Sequence, residues 1–370
     1  MAASALAGVN SGCDDEIGIG VFVMHLTYLI SKDYARATGG WIYNERLLTE
    51  LASLGVRITR VDLPAGFPDP SPAALAEALA IVSERPAGEL LLADQVCLAP
   101  LGAWLLGAAG KPRVAMIMHH PQILEGSRPP DIAARLDADE RVALKAADCV
   151  IATSQLTGRQ MLADYAVPDE TLVVAEPGTD VFPASRRSRI AALQLLSIGS
   201  IIPRKRHDLL VGALGRLTDL EWHLTIVGDL KREPAHVAAL RQLIADVGLA
   251  DRVALFGEQS GPQLATLWMC TDVYLAASSH EGFGMAVAEA VARQIPVVST
   301  YSGAVGDWLS REAGVIVEPD TVEAFATALR PVLADPKLRA QMRAGAAAAR
   351  ASLPTWRQTA AKVDAALRAL

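Results

Sequence analysis

Glu281 and Glu289 lie eight positions apart, with Gly282, Phe283 and Gly284 between them. Carboxylates accept hydrogen bonds from hydroxyls, and a glycine-rich turn lets backbone N–H groups approach an anion. The stretch 272–277 (Asp-Val-Tyr-Leu-Ala-Ala) has the apolar character of a buried strand, and strong helix formers follow Phe283. Glu281 is therefore expected at a strand-to-helix turn, with Glu289 about two helical turns further on. At 1.5 Å rise per residue the two acids would share a face roughly 12 Å apart. Free N–H groups at the helix start offer an anion seat between them. Carboxylate, phosphate seat, carboxylate is an order that suits a sugar nucleotide: sugar hydroxyls, a diphosphate, ribose hydroxyls. Either acid alone has an ordinary reading, as a partner of the helix dipole or as a solvated side chain. The two glycines make the combination specific.

A second cluster runs Gly199-Ser200-Ile201-Ile202-Pro203-Arg204-Lys205-Arg206-His207. Gly199 ends an apolar strand-like run, and the cations arrive just as a helical pattern begins. A helix N-terminus is already partly positive, so Arg204 and Lys205 make sense there if a dianion sits between them. A solvated basic turn is the plain alternative. In the N-terminal half, His119-His120-Pro121 follows a strand-like run. A histidine at a strand's carboxyl end can donate a hydrogen bond or carry a proton near neutral pH. Adjacent residues of an extended chain point to opposite sides, so one of the two is expected to face a cleft. Thr38-Gly39-Gly40-Trp41 precedes the first helical pattern, and its double glycine would let backbone approach a phosphate.

Other chemistries find no sequence support. No GxGxxG follows the first strand, no GxxxxGK[ST] loop exists, and no GxSxG turn occurs. His25, His207, His223, His236 and His280 are dispersed, so no metal cluster is expected. Cys13, Cys97, Cys149 and Cys270 lack metal-ligand spacing, and the last three, among apolar residues, read as small core hydrophobes.

The elements that must position these residues alternate. Strands are expected at 17–25, 57–63, 89–93, 113–118, 150–153 and 171–174, with helices at 42–54, 73–83, 137–147 and 156–164. The pattern restarts with strands at 194–198, 223–227, 253–256, 273–276, 296–299 and 315–317. Its helices are expected at 207–217, 234–247, 262–269, 281–293 and 321–334. Such alternation implies an α/β fold with parallel sheets covered on both faces. Two series imply two doubly wound, Rossmann-like domains, 1–178 and 188–354, with a turn- and charge-rich linker near 176–189. A last helix, 355–370, is expected to cross back toward the first domain. Ligands of open α/β sheets bind beyond the carboxyl ends of the strands, where all these candidates fall.

The chain has 370 residues, 51% hydrophobic and 20% charged, enough for two globular domains. Aromatic residues are 5%, the net charge is −7 and the pI is near 5.6, which argue against nucleic acid as a partner. Residues 1–20 lack a secretory pattern and the apolar stretch 90–109 is interrupted, so a cytoplasmic protein without a membrane span is expected.

Taken together, Glu281-x7-Glu289 with its Gly-Phe-Gly turn, Pro203-Arg204-Lys205 after Gly199, and Gly39-Gly40 resemble the retaining GT-B glycosyltransferases. The group resembled is that of glycogen synthase and the bacterial mannosyl- and glucosyltransferases. The resemblance runs through nearly the whole chain and is most specific over 278–300. It implies two Rossmann-like domains facing a central cleft, with the donor nucleotide held mainly by the second. Glu281 then matches the residue on the donor sugar and Glu289 the one on the ribose. Arg204 and Lys205 match the cations on the diphosphate, Gly40 a backbone contact to phosphate, and His119 the histidine beside the transferred sugar. Many relatives carry arginine where this chain has Ser200, so the diphosphate would rely more on Arg204, Lys205 and the turn at Gly282.

The resemblance implies metal-independent transfer of a hexosyl unit, with retention, from a UDP- or GDP-sugar to a glycan, lipid-linked or small-molecule hydroxyl. A sugar-nucleotide epimerase of the same fold and a non-catalytic two-lobed solute-binding protein are the alternatives. No basic amphipathic helix supports membrane docking.

Overall fold

The computed structural model describes residues 24–33, 38–125, 128–186, 192–318 and 320–370. Two six-stranded, wholly parallel sheets organise the chain. The first contains β1 (His25–Ser31), β2 (Arg57–Leu63), β3 (Leu90–Asp94), β4 (Arg113–Met118), β5 (Cys149–Ala152) and β6 (Leu172–Val174), in the order 2-1-3-4-5-6. Its helices are α1 (Gly39–Ser53), α2 (Pro72–Ser83), α3 (Gln95–Leu98), α4 (Gly102–Gly107), α5 (Pro130–Ala146) and α6 (Gln155–Ala163).

The second sheet contains β7 (Leu193–Ile198), β8 (Trp222–Val227), β9 (Val253–Phe256), β10 (Val273–Ala276), β11 (Val297–Thr300) and β12 (Gly314–Val317). Its order is 12-11-10-7-8-9. The helices that follow are α7 (His207–Gly215), α8 (Pro234–Asp246), α9 (Gly261–Cys270), α10 (Met285–Ala292), α11 (Ala304–Trp308), α12 (Val322–Ala334), α13 (Pro336–Ala349) and α14 (Trp356–Arg368). Among the described residues no helix is long and apolar enough to cross a membrane.

Most expected elements stand within a residue or two of their positions, and several differences have clear causes. Only His25 of the expected first strand lies in β1; residues 17–23 lie outside the described residues. The first helix starts at Gly39 because the Thr38 side chain accepts from Trp41 N at 3.3 Å and caps it there. Helix α5 begins two turns earlier than expected, at Pro130, whose fixed φ suits a first helical position. Helix α10 starts only at Met285, after Gly284 in the left-handed region (φ 91°). Cys270, the last residue of α9, is exposed, so of the cysteines read as core only Cys97 and Cys149 are buried; Cys13 lies outside the described residues.

The central strands are buried along their length, as crossover helices on both faces require. The final helix packs on the first sheet's side of the molecule: Trp356, Ala360, Val363 and Leu367 share a cluster with Tyr43, Leu47 and Leu51 of α1. Thr355 and Gln358 form a reciprocal capping box that fixes where α14 begins. Trp356 is 5% exposed, and its ring tilts against Tyr43 at 5.9 Å while the Arg46 guanidinium lies 5.3 Å from its centroid. Removing so large a buried ring costs about 3–5 kcal/mol. Trp356→Ala should therefore lower the unfolding free energy of the first lobe, read by urea titration, by that amount; a change under about 1 kcal/mol would detach α14 from the core.

His207 opens α7 fully inside the second lobe, with Nδ1 lacking a partner. Burial, then the Lys205 ammonium, lowers its pKa to about 3. A histidine held neutral stabilises the fold above pH ~6.5, and this is lost as pH falls toward 3, because only the unfolded chain takes the proton. Between pH 7 and pH 5 that amounts to about 2 kcal/mol. Urea unfolding of wild type and His207→Gln at both pH values should show the acid loss shrinking by that much in the variant; an equal loss in both would contradict it.

Candidate active site

The carboxyl end of β10 leads through Ala277-Ser278-Ser279-His280 into Glu281. Thr300 Oγ1 donates to Ser278 O at 2.7 Å, and Glu281 N donates to Ser302 O at 2.8 Å. Glu281 also forms an isolated parallel bridge with Gly303. These bonds fix the backbone of Glu281 outside any helix. Its carboxylate accepts from Ser278 Oγ and from Lys205 Nζ, both on Oε1 at 2.5 Å. Arg204 Nη1 lies 3.9 Å from Oε2 and donates to His280 O at 2.7 Å. Burial pushes the Glu281 pKa up, but Lys205 and Arg204 outweigh it and hold the carboxyl at about 2.

The cations are presented by a short 3-10 turn, Pro203–Lys205, anchored by the fully buried Ile201 and Ile202. Arg206 takes a left-handed conformation (φ 49°) and turns away to Asp208 and Asp320. The Lys205 stem lies over Gly199: a Cβ there would stand 3.1 Å from Lys205 Cε. Ser200 contributes its carbonyl, which accepts from Ile202 N at 3.0 Å.

Opposite stands the first lobe. A Cβ on Gly282 would lie 2.1 Å from His119 O, so the two lobes meet backbone to backbone at this point. Gly39 and Gly40 are the first two residues of α1. A Cβ on Gly40 would lie 3.1 Å from His119 Cδ2, and one on Gly39 3.8 Å from Met285 Sδ of the other lobe. The His119 ring packs edge-on to Tyr43 at 5.5 Å, and its buried Nε2 has no hydrogen-bond partner. Burial, then His120, lowers the His119 pKa to about 3, so the ring is neutral at physiological pH. His120 turns the other way: its Nε2 is 3.1 Å from Glu125 Oε1, and its ring centroid is 5.6 Å from that of His280. The adjacent histidines do diverge, yet both reach the contact between lobes.

Phe283 stacks on Trp308 (5.3 Å, 16°), and Trp308 Nε1 donates to Phe283 O at 2.7 Å. Helix α10 has no side-chain cap, so the N–H groups of its first turn remain available for an anion. A Cβ on Gly284 would stand 2.4 Å from Val305 Cγ2, so both its φ and its surroundings require glycine.

Glu281, Arg204, Lys205, Gly282, His119 and Gly40 thus come together. Glu289 stands further along the chain, within α10, whose start is corrected from the expected residue 281 to Met285. Because α10 starts at Met285, helical spacing does not extend back to Glu281. Glu289 lines a neighbouring cavity between α1, the linker and α10, bounded by Ile42, Arg46, Asp180, Phe182 and Met285. Burial raises its pKa, opposed by Arg293, whose Nη2 is 3.9 Å away. Tyr274, buried in the cluster that includes Leu196 of β7 and Val287 of α10, has its pKa raised by burial first, with Glu281 and Glu289 adding to it.

Sequence reasoning missed Glu125, Arg232, Ser278 and His280 as parts of this cluster. Glu125 comes from the loop after His120, whose composition carries no signal. Arg232 follows Gly228-Asp229 at the carboxyl end of β8, a position that could have marked it.

Comparison with known proteins agrees with this architecture. Residues 25–178 match a family model described as a glycosyl transferase 4-like domain, and residues 185–349 match one described as glycosyl transferases group 1. A D-inositol 3-phosphate glycosyltransferase of Kineococcus radiotolerans is 30% identical over 245 residues, 59% of this chain and 56% of the relative. The chain therefore spans little over half the length of that relative. Among solved structures, sucrose-phosphate synthase from Thermosynechococcus elongatus superposes with a TM-score of 0.76 at 19% identity, over 94% of this chain and 98% of its own. Anabaena HepE in complex with UDP and glucose superposes at 0.73 and 17% identity, over 94% and 100%. These two likenesses establish the GT-B arrangement of two Rossmann-like lobes. With one family model on each lobe, the chain belongs to the group 1, 4-like glycosyltransferases.

Proposed function

We propose that the chain transfers a hexosyl unit from a nucleoside diphosphate sugar to an acceptor hydroxyl with retention at the anomeric carbon. The observation that carries this reading is the half-buried Lys205–Glu281–Arg204 cluster set against the uncapped start of α10, facing Gly40 and His119. The leaving diphosphate gathers negative charge in the transition state, and preorganised cations with helix N–H groups stabilise it. Because Arg204, Lys205 and α10 supply that charge, the reading needs no divalent metal. Glu281, held ionised, accepts hydrogen bonds from the donor sugar's hydroxyls. Neutral His119, with its unpartnered buried Nε2, exchanges a hydrogen bond with the sugar between the lobes. The lobe contact at Gly282 limits water at the anomeric carbon.

The nucleoside runs along α10 toward the cavity at Glu289, whose carboxylate takes the ribose hydroxyls. UDP, named in the Anabaena structure, is the first donor base to test, with GDP and ADP beside it. The acceptor is a glycan, a lipid-linked glycan or a small polyol, and the phosphorylated inositol of the Kineococcus relative is one candidate. A cytosolic location belongs to the same reading.

A thermal-shift screen against UDP-, GDP- and ADP-sugars identifies the donor, and acceptor-dependent release of free nucleotide separates transfer from epimerisation. Lys205→Ala should reduce turnover at least ~10²-fold, as loss of one oxyanion donor does; normal turnover in that variant would remove the phosphate role. Glu289→Ala should weaken nucleotide binding about tenfold by calorimetry, with little effect on turnover at saturation. Unchanged affinity would take the ribose away from Glu289.

A further inference from the structure

Three groups surround the carboxylate of Glu125, which belongs to the 3-10 turn Gln122–Glu125 of the first lobe. His120 Nε2 lies 3.1 Å from Oε1, while Arg204 Nε and Arg232 Nη2 lie 3.5 Å and 3.7 Å from Oε2. The two arginines come from the other lobe, one from the turn after β7 and one from the loop after β8. Their guanidinium groups converge on one oxygen, yet neither hydrogen-bonds it. Glu125 Oε2 and Arg204 Nε are both buried without a hydrogen-bond partner. Among the described residues, Lys205, Arg204 and Arg232 pair with Glu281 and Glu125, three cations to two carboxylates.

Two features make this arrangement resemble an anion seat rather than a finished structural ion pair. The carboxylate attracts both arginines through space, but its geometry forfeits the short charge-assisted bonds that a guanidinium fork forms with a well-placed oxyanion. Arg204 also touches Glu281 Oε2 at 3.9 Å, so the seat adjoins the Lys205–Glu281 pair. The turn that delivers Glu125 is itself held in place: Gln122 N donates to Glu140 Oε2 at 3.2 Å, and Leu124 N to Pro121 O at 3.0 Å. Glu125 is therefore positioned at this point by its own lobe.

We propose that Glu125 is a resident substitute for a phosphate oxygen: it holds the seat between Arg204 and Arg232 until the donor diphosphate takes it. Arg232 is then a third cation of the diphosphate site, alongside Arg204 and Lys205. The phosphate carries more charge and more acceptor oxygens than a carboxylate and can satisfy both forks. Glu125 in turn ties the lobes together through the cations that the donor must claim, so donor binding and lobe contact compete for the same charges. The inference rests on the nucleoside diphosphate reading above.

Isothermal titration of UDP and GDP into the full chain tests it, with Glu125→Gln, Arg232→Gln, the double variant and Lys205→Ala. Glu125→Gln should tighten UDP binding about three- to tenfold, because the competing carboxylate is gone. Arg232→Gln should weaken it about tenfold, and by more in the Glu125→Gln background, where the arginine has no other anion. UDP binding that is lost in Lys205→Ala but indifferent to Glu125→Gln or to Arg232→Gln overturns this inference and leaves the functional reading intact. Weaker binding in Glu125→Gln also overturns it, since Glu125 would then support the ligand. Should wild type bind neither UDP nor GDP, ADP is titrated in their place, and binding of none of the three fells both readings. Should Glu125→Gln unfold, Glu125→Asp retracts the carboxylate by one methylene and gives the same readout.

Discussion

A carbonyl oxygen of one lobe, that of His119, occupies the space where the first side-chain atom of residue 282 would stand in the other. The meeting of the two lobes' candidate residues depends on this approach. With Gly282 in place, the uncapped start of α10 comes up against the strand end that carries both histidines and against the glycines that open α1. Any side chain at 282 would drive the backbones apart and separate Lys205 and Glu281 from His119 and Gly40. Gly199 and Gly228 make a similar contact within the second lobe, where a Cβ on Gly228 would fall 1.9 Å from Gly199 O. The cation turn after β7 is thus packed against the β8 loop that supplies Arg232.

Burial sets the electrostatics of this cleft. Taking charges out of water is expensive unless they are paired. Glu281 and Glu125 therefore stand beside cations and have depressed pKa values despite burial that opposes ionisation. His119 and His280 take the opposite course. Burial, then His120, and for His280 Arg204 as well, lower their pKa values to about 3 and about 4, so both rings are neutral. The cluster consequently offers fixed positive charge and neutral hydrogen-bonding groups, a combination suited to receiving an anion rather than to delivering protons.

The sheets were legible in the sequence because parallel strands buried on both faces are short, dense apolar runs. Those at 113–118 and 273–276 stand where that reading puts them, and the more exposed edge strands at 57–63 and 253–256 match their expected positions too. Helix starts were less legible, since they depend on caps and on glycine conformations. The left-handed Gly284 delays α10 to Met285, so Glu281 stands ahead of the helix instead of opening it. Helices as short as α3 and α4, of 4 and 6 residues, carry too few positions for a periodicity to stand out. Cys270 looked apolar by its neighbours but ends a helix at the surface. On the site, residue type and spacing singled out Glu281, Lys205, Arg204 and the glycine turns, because those features reflect local backbone requirements.

The sequence by itself determined the alternating α/β order, the restart that yields two sheets, and the local chemistry at the strand ends, since each depends on residues close in the chain. Tertiary structure alone decided which of these chemistries meet. It paired Lys205 with Glu281 across 76 positions, turned Glu289 toward α1 and the linker, and brought Glu125 of one lobe to Arg204 and Arg232 of the other. Contacts between residues so far apart depend on how two independently formed sheets pack, and no local propensity encodes that geometry.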